Sequence, residues 1–218
     1  MKKIMFNDRF GLTDDVLAGH KTMTRRLIGQ CDRVEPYFGK DGYCLCDIFN
    51  KDIYVGTVKS RYHIGEEVAV AQSYKELAKI DDYYNCEQAK RQAGWSNKMF
   101  VRANLMKYHI KIKDIKVERL CAINDEDCRK EGIVPFTWRQ WLKQDIGDFG
   151  PQRYKDWSVW TLPKFLDSLS YHTDERDPDE YMANSPQAAF AVLIFKLMSR
   201  KVWDQNPHVF AYEFELVK

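Results

Sequence analysis

Hydrophobic positions alternate in some stretches of the chain and cluster in others, and the two patterns predict different elements. Ile4, Met5 and Phe6 read as an opening strand. A short helix follows. Thr13 is placed to cap it, Asp14 and Asp15 fill a first turn where the dipole favours acids, and Gly19 stops it. Leu12 and Leu17 fit a hydrophobic staple. Residues 43–48 and 53–58 form a strand pair with Asn50 to Asp52 as the turn, and Glu66 to Ala71 is the next strand. Tyr108, Ile110 and Ile112 then alternate with His109, Lys111 and Lys113, before the apolar face switches at Ile115 and Val117. A one-residue slip turns every side chain to the other face, so this switch predicts a bulge near Asp114.

A second short helix begins after Asn124, with Asp125, Glu126 and Asp127 in its first turn and Gly132 as its stop. Ile123 and Cys128 supply its staple. Ser185-Pro186 opens a third helix, apolar nearly all round, which should be buried. Phe210, Tyr212, Phe214 and Leu216 alternate with polar or small residues, as in a half-buried antiparallel strand. The class is α+β: strand-bearing segments at about 1–75, 98–135 and 207–218 surround helix-rich insertions at about 76–97 and 136–206. A last strand returning after the long insertion closes one barrel or sheet across it, giving a single domain.

Composition narrows the function classes. With 44% apolar residues, 218 residues can bury a core without disulfides or metal. Thirty-four Lys and Arg against 32 Asp and Glu leave +2, so attraction for nucleic acid must come from a local patch. The N-terminus lacks a secretory apolar run, and Ala188 to Phe195 is too short to span a bilayer, so a cytoplasmic protein without membrane contact is expected. Six scattered cysteines fit reduced thiols, and Cys44-x-Cys46 lacks the second pair that a zinc site needs. The five histidines show no HxxxH or HxH spacing, and no Gly-rich phosphate motif occurs; no metal or cofactor is expected.

The densest polar cluster is His20-Lys21-Thr22-Met23-Thr24-Arg25-Arg26. Lys21 and Thr24, three apart, share one face of a turn or helical segment. A buried lysine loses basicity, and its neutral amine can then take a hydroxyl proton and activate the oxygen. Arg26 adds a permanent charge for an anion or carbonyl oxygen. An exposed basic turn is the plainer reading of the same residues. Glu131, at the unfavourable end of the helix dipole, is a candidate proton donor or an ordinary solvated glutamate. Between Lys98 and Arg119, seven basic residues face two acids; Arg102, Lys111 and Lys113 could follow a phosphate backbone, or could guard an edge strand. The aromatic residues of 136–160 read as insertion core rather than a base-stacking platform, and as a candidate surface for a protein partner.

Gly19-x-Lys21-x-x-Thr24-x-Arg26 resembles the signature of ASCH domains, small PUA-like mixed β-barrels, with Thr24 where the usual signature has Glu. The Thr form resembles a subset of small bacterial ASCH proteins that hydrolyse N(4)-acetylcytidine to cytidine and acetate by a Lys, a Thr and a later Glu. The resemblance assigns those roles to Lys21, Thr24 and Glu131, the last within Ile123-Asn124-Asp125-Glu126-Asp127-Cys128-Arg129-Lys130-Glu131. Over most of its length the chain is also similar to larger ASCH-domain proteins of bacteria and their phages. The matching stretches are Val70-Ala71-Gln72-Ser73-Tyr74, Val117-Glu118-Arg119-Leu120 with Glu131-Gly132-Ile133, and Trp203-Asp204-Gln205-Asn206-Pro207-His208-Val209 with Glu213-Phe214. Gln72 and Ala71 stand where that family carries Glu and Arg. The resemblance puts Gln72, Tyr74 and Arg26 beside the substrate. It implies a modified nucleoside or RNA as ligand, with amidohydrolase chemistry or nucleic-acid binding alone as the two readings.

Overall fold

The computed structural model describes residues 1–137, 158–161 and 183–217. Ten strands and six α-helices lie in these segments, which are of mixed α+β class. The strands are β1 (Lys3–Ile4), β2 (Met23–Gly29), β3 (Arg33–Phe38), β4 (Tyr43–Asn50), β5 (Ile53–His63), β6 (Glu67–Val70), β7 (His109–Arg119), β8 (Val134–Thr137), β9 (Ser158–Thr161) and β10 (His208–Val217). They form a five-stranded sheet in the order β1-β6-β7-β10-β2, a three-stranded sheet β3-β4-β5 and a two-stranded ribbon β8-β9. The described strands do not close into a barrel.

The helices are α1 (Leu12–Leu17), α2 (Tyr74–Leu77), α3 (Glu87–Lys90), α4 (Asp125–Lys130), α5 (Pro186–Leu197) and α6 (Arg200–Gln205). Local chemistry explains most of their ends. Asn124 caps α4 by accepting a 2.8 Å bond from the Asp127 amide. Ser185 caps α5, with Pro186 at its first position. Helix α1 differs from the sequence expectation. Its N-cap is Gly11 in the left-handed region, and Thr13 lies buried inside the first turn, where its hydroxyl donates to Asp8 Oδ1. The short 3₁₀ turn at Asp8–Phe10 delivers the chain directly into the helix, which leaves Thr13 two residues past the cap position. The helix-rich insertion expected at about 76–97 consists of short helices and turns.

The turn between β4 and β5 lies at Lys51 and Asp52, both at positive φ, as a two-residue hairpin requires. The predicted bulge is present. Glu213 pairs with Asp114 and Phe214 with Ile112, so Lys113 is the extra residue. Two strand expectations need correction. Met23–Gly29 is a strand rather than the end of a basic turn. And β10 is not half-buried: between β7 and β2 it is central, and His208 to Tyr212 are all buried. The core joins the five-stranded sheet to α1, α4 and α5, and includes Val16, Ile110, Ile115, Cys128, Phe190, Ile194, Val209 and Tyr212. The far end of the 136–206 insertion thus belongs to the main core. The residues Trp138, Trp141, Phe149, Tyr154 and Trp157, and the acidic loop 172–181, lie outside the described residues.

Candidate functional site

Two sequence-distant segments build the site. After α1 the chain turns at Gly19 (φ 77°), and the amides of His20 and Lys21 both donate to the Asp15 carbonyl. Thr22 is tied on both sides: its amide donates to the Lys130 carbonyl, and its own carbonyl accepts from Phe214. These bonds fasten the Lys21 segment to the end of α4 and to β10. Gly132 (φ 98°) ends the other segment. A Cβ there would meet Asp15 and the Lys21 stem at 3.6 Å, an ordinary contact, so it is the left-handed backbone rather than lack of room that calls for glycine.

Lys21 and Glu131 meet inside the protein, 2% and 3% exposed. The lysine Nζ donates to Glu131 Oε2 in a short contact and to the Glu131 carbonyl at 2.9 Å. Arg25, also buried, donates to Glu131 Oε1 at 2.9 Å, to Glu118 Oε1 at 2.6 Å and to Asp127 Oδ2 at 3.2 Å. Its guanidinium lies 5.6 Å from the Phe190 ring centre. Burial pushes the Lys21 amine below its ordinary value; Glu131 opposes that shift, and Arg26 and Arg25 reinforce it. Arg25 is driven the other way, upward: its acidic partners outweigh the cost of burial.

These groups line a cavity of about 400 Å³. Thr24 and Arg26, on one face of β2, line it too. The Thr24 hydroxyl has no hydrogen-bond partner among the described residues. Phe190, Leu193, Ile194 and Leu197 of α5 supply the apolar wall, so the end of the long insertion encloses the pocket. Asn97 and Lys98 stand at another side. Lys98 is committed to the protein, donating to Asp8 Oδ1 at 2.6 Å and to the Phe6 carbonyl. The arrangement offers a hydroxyl, an amine of lowered basicity and a carboxyl group in a pocket with one apolar wall. That set suits proton transfer coupled to nucleophilic attack. No group of three His, Cys, Asp or Glu able to hold a metal occurs among the described residues.

Lys21, Thr24, Glu131 and Arg26 are therefore brought together, but not by helical spacing: Lys21 is in a loop and Thr24 in a strand. Gln72 and Tyr74 do not line this cavity. Gln72 is buried under the loop before β7, accepting from the Lys107 amide, and Tyr74 stacks on Tyr84. The basic stripe is largely neutralised. Lys113 pairs with Glu215, Lys107 with Asp81, and Lys116 with Asp127. Lys111 lies between Glu67 and Glu215 in the sheet register, and Arg102 is exposed on the segment before β7. Sequence reasoning missed the roles of Arg25, Glu118 and Asp127. Strand alternation through Met23–Gly29 was the signal for Arg25, since it turns Arg25 away from Thr24 and Arg26. No helix among the described residues is long and apolar enough to cross a membrane. Compared with family models, curated proteins and solved structures, the chain finds no match.

Proposed function

We propose that the chain is an ASCH-type amidohydrolase with a PUA-like ancestry to its strands, and that it removes the acetyl group from N(4)-acetylcytidine or a closely related acylated nucleoside. The observation that carries this reading is the buried Lys21–Glu131 contact, which lines the same cavity as a Thr24 hydroxyl with no hydrogen-bond partner among the described residues. At rest Lys21 and Glu131 are an ion pair; in the productive form one proton passes within the pair from the ammonium to the carboxylate, leaving a neutral amine and a carboxylic acid. Thr24 Oγ1 attacks the acetyl carbonyl and gives its proton to the Lys21 amine. Arg26 or neighbouring backbone N–H groups steady the oxyanion. Glu131 protonates the departing exocyclic nitrogen, and cytidine leaves. Lys21 is now an ammonium and Glu131 a carboxylate. Water then attacks the acyl-threonine, giving one proton to Glu131, while Lys21 returns its proton to Thr24 and acetic acid departs, to ionise in solvent. The pair carries no net charge before or after either half-reaction, which suits two side chains this deeply buried.

Incubation with N(4)-acetylcytidine tests the proposal, with cytidine followed by chromatography. The wild type should release cytidine and Thr24→Ser should retain turnover, while Thr24→Ala should lose on the order of a thousandfold or more. Full turnover by Thr24→Ala would overturn it. Binding of nucleic acid without catalysis is the weaker reading, since acidic partners occupy Lys113, Lys107 and Lys116.

A further inference from the structure

A second cavity, of about 370 Å³, lies where β1, β2 and β10 of the five-stranded sheet face β5 of the three-stranded sheet. It shares Met5 and Arg26 with the first, so the two adjoin across the Arg26 side chain. Its charge is one-sided. Lys3, Arg26, Lys59 and Arg61 line it, and no acidic side chain does. Among the described residues, three of these four cations have no carboxylate partner. Lys3 Nζ donates to the carbonyls of Lys98, Met99 and Val101, and Arg26 Nη2 donates to the Met5 carbonyl at 2.8 Å. The Arg61 guanidinium lies 5.8 Å from the Tyr62 ring centre and makes no hydrogen bond there. Lys59 is paired with the exposed Asp41 at 3.0 Å. Elsewhere the fold answers its cations with acids, as at Arg25, Lys113 and Lys130. A walled concavity with several uncompensated cations is a place where an anion gains charge-assisted hydrogen bonds.

We infer that this second cavity is a phosphate subsite, so that the substrate class is a nucleotide, free or within RNA, rather than a bare nucleoside. The inference rests on the proposed function for what fills the adjoining pocket: the acylated base lies against Lys21 and Thr24, and the phosphate reaches past Arg26 to Arg61 and Lys59. Each cavity is within the roughly 300–1,000 Å³ typical of small-molecule sites. Two arginines suit phosphate better than lysines alone, because the planar fork makes paired bonds to its oxygens.

Calorimetric titration of the full chain with cytidine, cytidine 5′-monophosphate, inorganic phosphate and a hydroxyl-ended cytidine trinucleotide tests it. At least one phosphorylated cytidine ligand should bind roughly tenfold or more tighter than cytidine, the effect of one charge-assisted bond. The preference should weaken with salt and fall toward unity in Arg61→Gln and Lys59→Gln, both exposed positions where folding is not at stake. Preference for the monophosphate identifies a terminal phosphate, and preference for the trinucleotide identifies the backbone. Equal affinity for cytidine and both phosphorylated ligands, or a preference that survives both substitutions, overturns the subsite. Hydrolysis of N(4)-acetylcytidine is read separately: its absence alongside a lasting phosphate preference would sink the amidohydrolase reading and spare the subsite.

Discussion

Replacing Glu131 by Gln keeps the size of the side chain and removes the one carboxylate that Lys21 contacts among the described residues. Arg25 loses one acid of three and keeps Glu118 at 2.6 Å and Asp127 at 3.2 Å. Lys21 retains the Glu131 backbone carbonyl at 2.9 Å but faces Arg25 and Arg26 with no counter-charge. Breaking a buried pair from one side costs about 3–5 kcal/mol. Loss of the lysine proton sets a ceiling. Holding the amine neutral at pH 7, against an unfolded value of about 10.4, costs about 1.4 kcal/mol per pH unit, or about 5 kcal/mol. The sign follows from proton counting. The folded variant binds fewer protons than the unfolded chain between its lowered lysine pKa and about 10.4, so its stability rises with pH in that window. Denaturant unfolding at pH 7 and pH 9 should give a deficit of about 3–5 kcal/mol at pH 7 that narrows by up to about 1.4 kcal/mol per pH unit. Adding Lys21→Met should recover part of the loss, because no buried charge is then stranded. A deficit below about 1 kcal/mol, or one identical at both pH values, would refute the reading of Lys21 and Glu131 as charged partners.

Three further outcomes follow from the same geometry. Gly132→Ala puts a Cβ on a backbone at φ 98°, with room for it beside Lys21 and Asp15; the left-handed conformation should cost about 1–2 kcal/mol in denaturant unfolding, and a neutral effect would count against that conformation. Asn124→Ala removes the cap of the helix that carries Glu131; a loss of about 1 kcal/mol is expected by thermal unfolding, with turnover reduced less than by any change at Thr24. The pH profile of kcat/KM for N(4)-acetylcytidine should fall at high pH as the Lys21–Glu131 pair loses the one proton it shares, with a midpoint below the ordinary lysine value of about 10.4, since burial lowers the amine; activity that does not fall until the ordinary value would mean that the amine is solvent-exposed.

What the sequence alone determined is what depends on neighbouring residues. The Asn124 and Ser185 caps, the β4–β5 turn and the slip at Lys113 were legible because each is written within a few positions of the element it controls. The resemblance singled out Lys21, Thr24 and Glu131 from the sequence; that the three line one cavity depends on contacts across 110 positions of chain. Only the tertiary structure decided that Lys21 is buried rather than part of an exposed turn, because burial depends on what α4, β10 and α5 place over it. It also decided that Lys113 and Lys116 of β7 are met by Glu215 and Asp127, and Lys107 before the strand by Asp81, while Arg26 and Arg61 meet no acid among the described residues. Charge along a strand is countable from sequence; its compensation is set by which strands and loops come to lie beside it, a long-range property that no local pattern encodes.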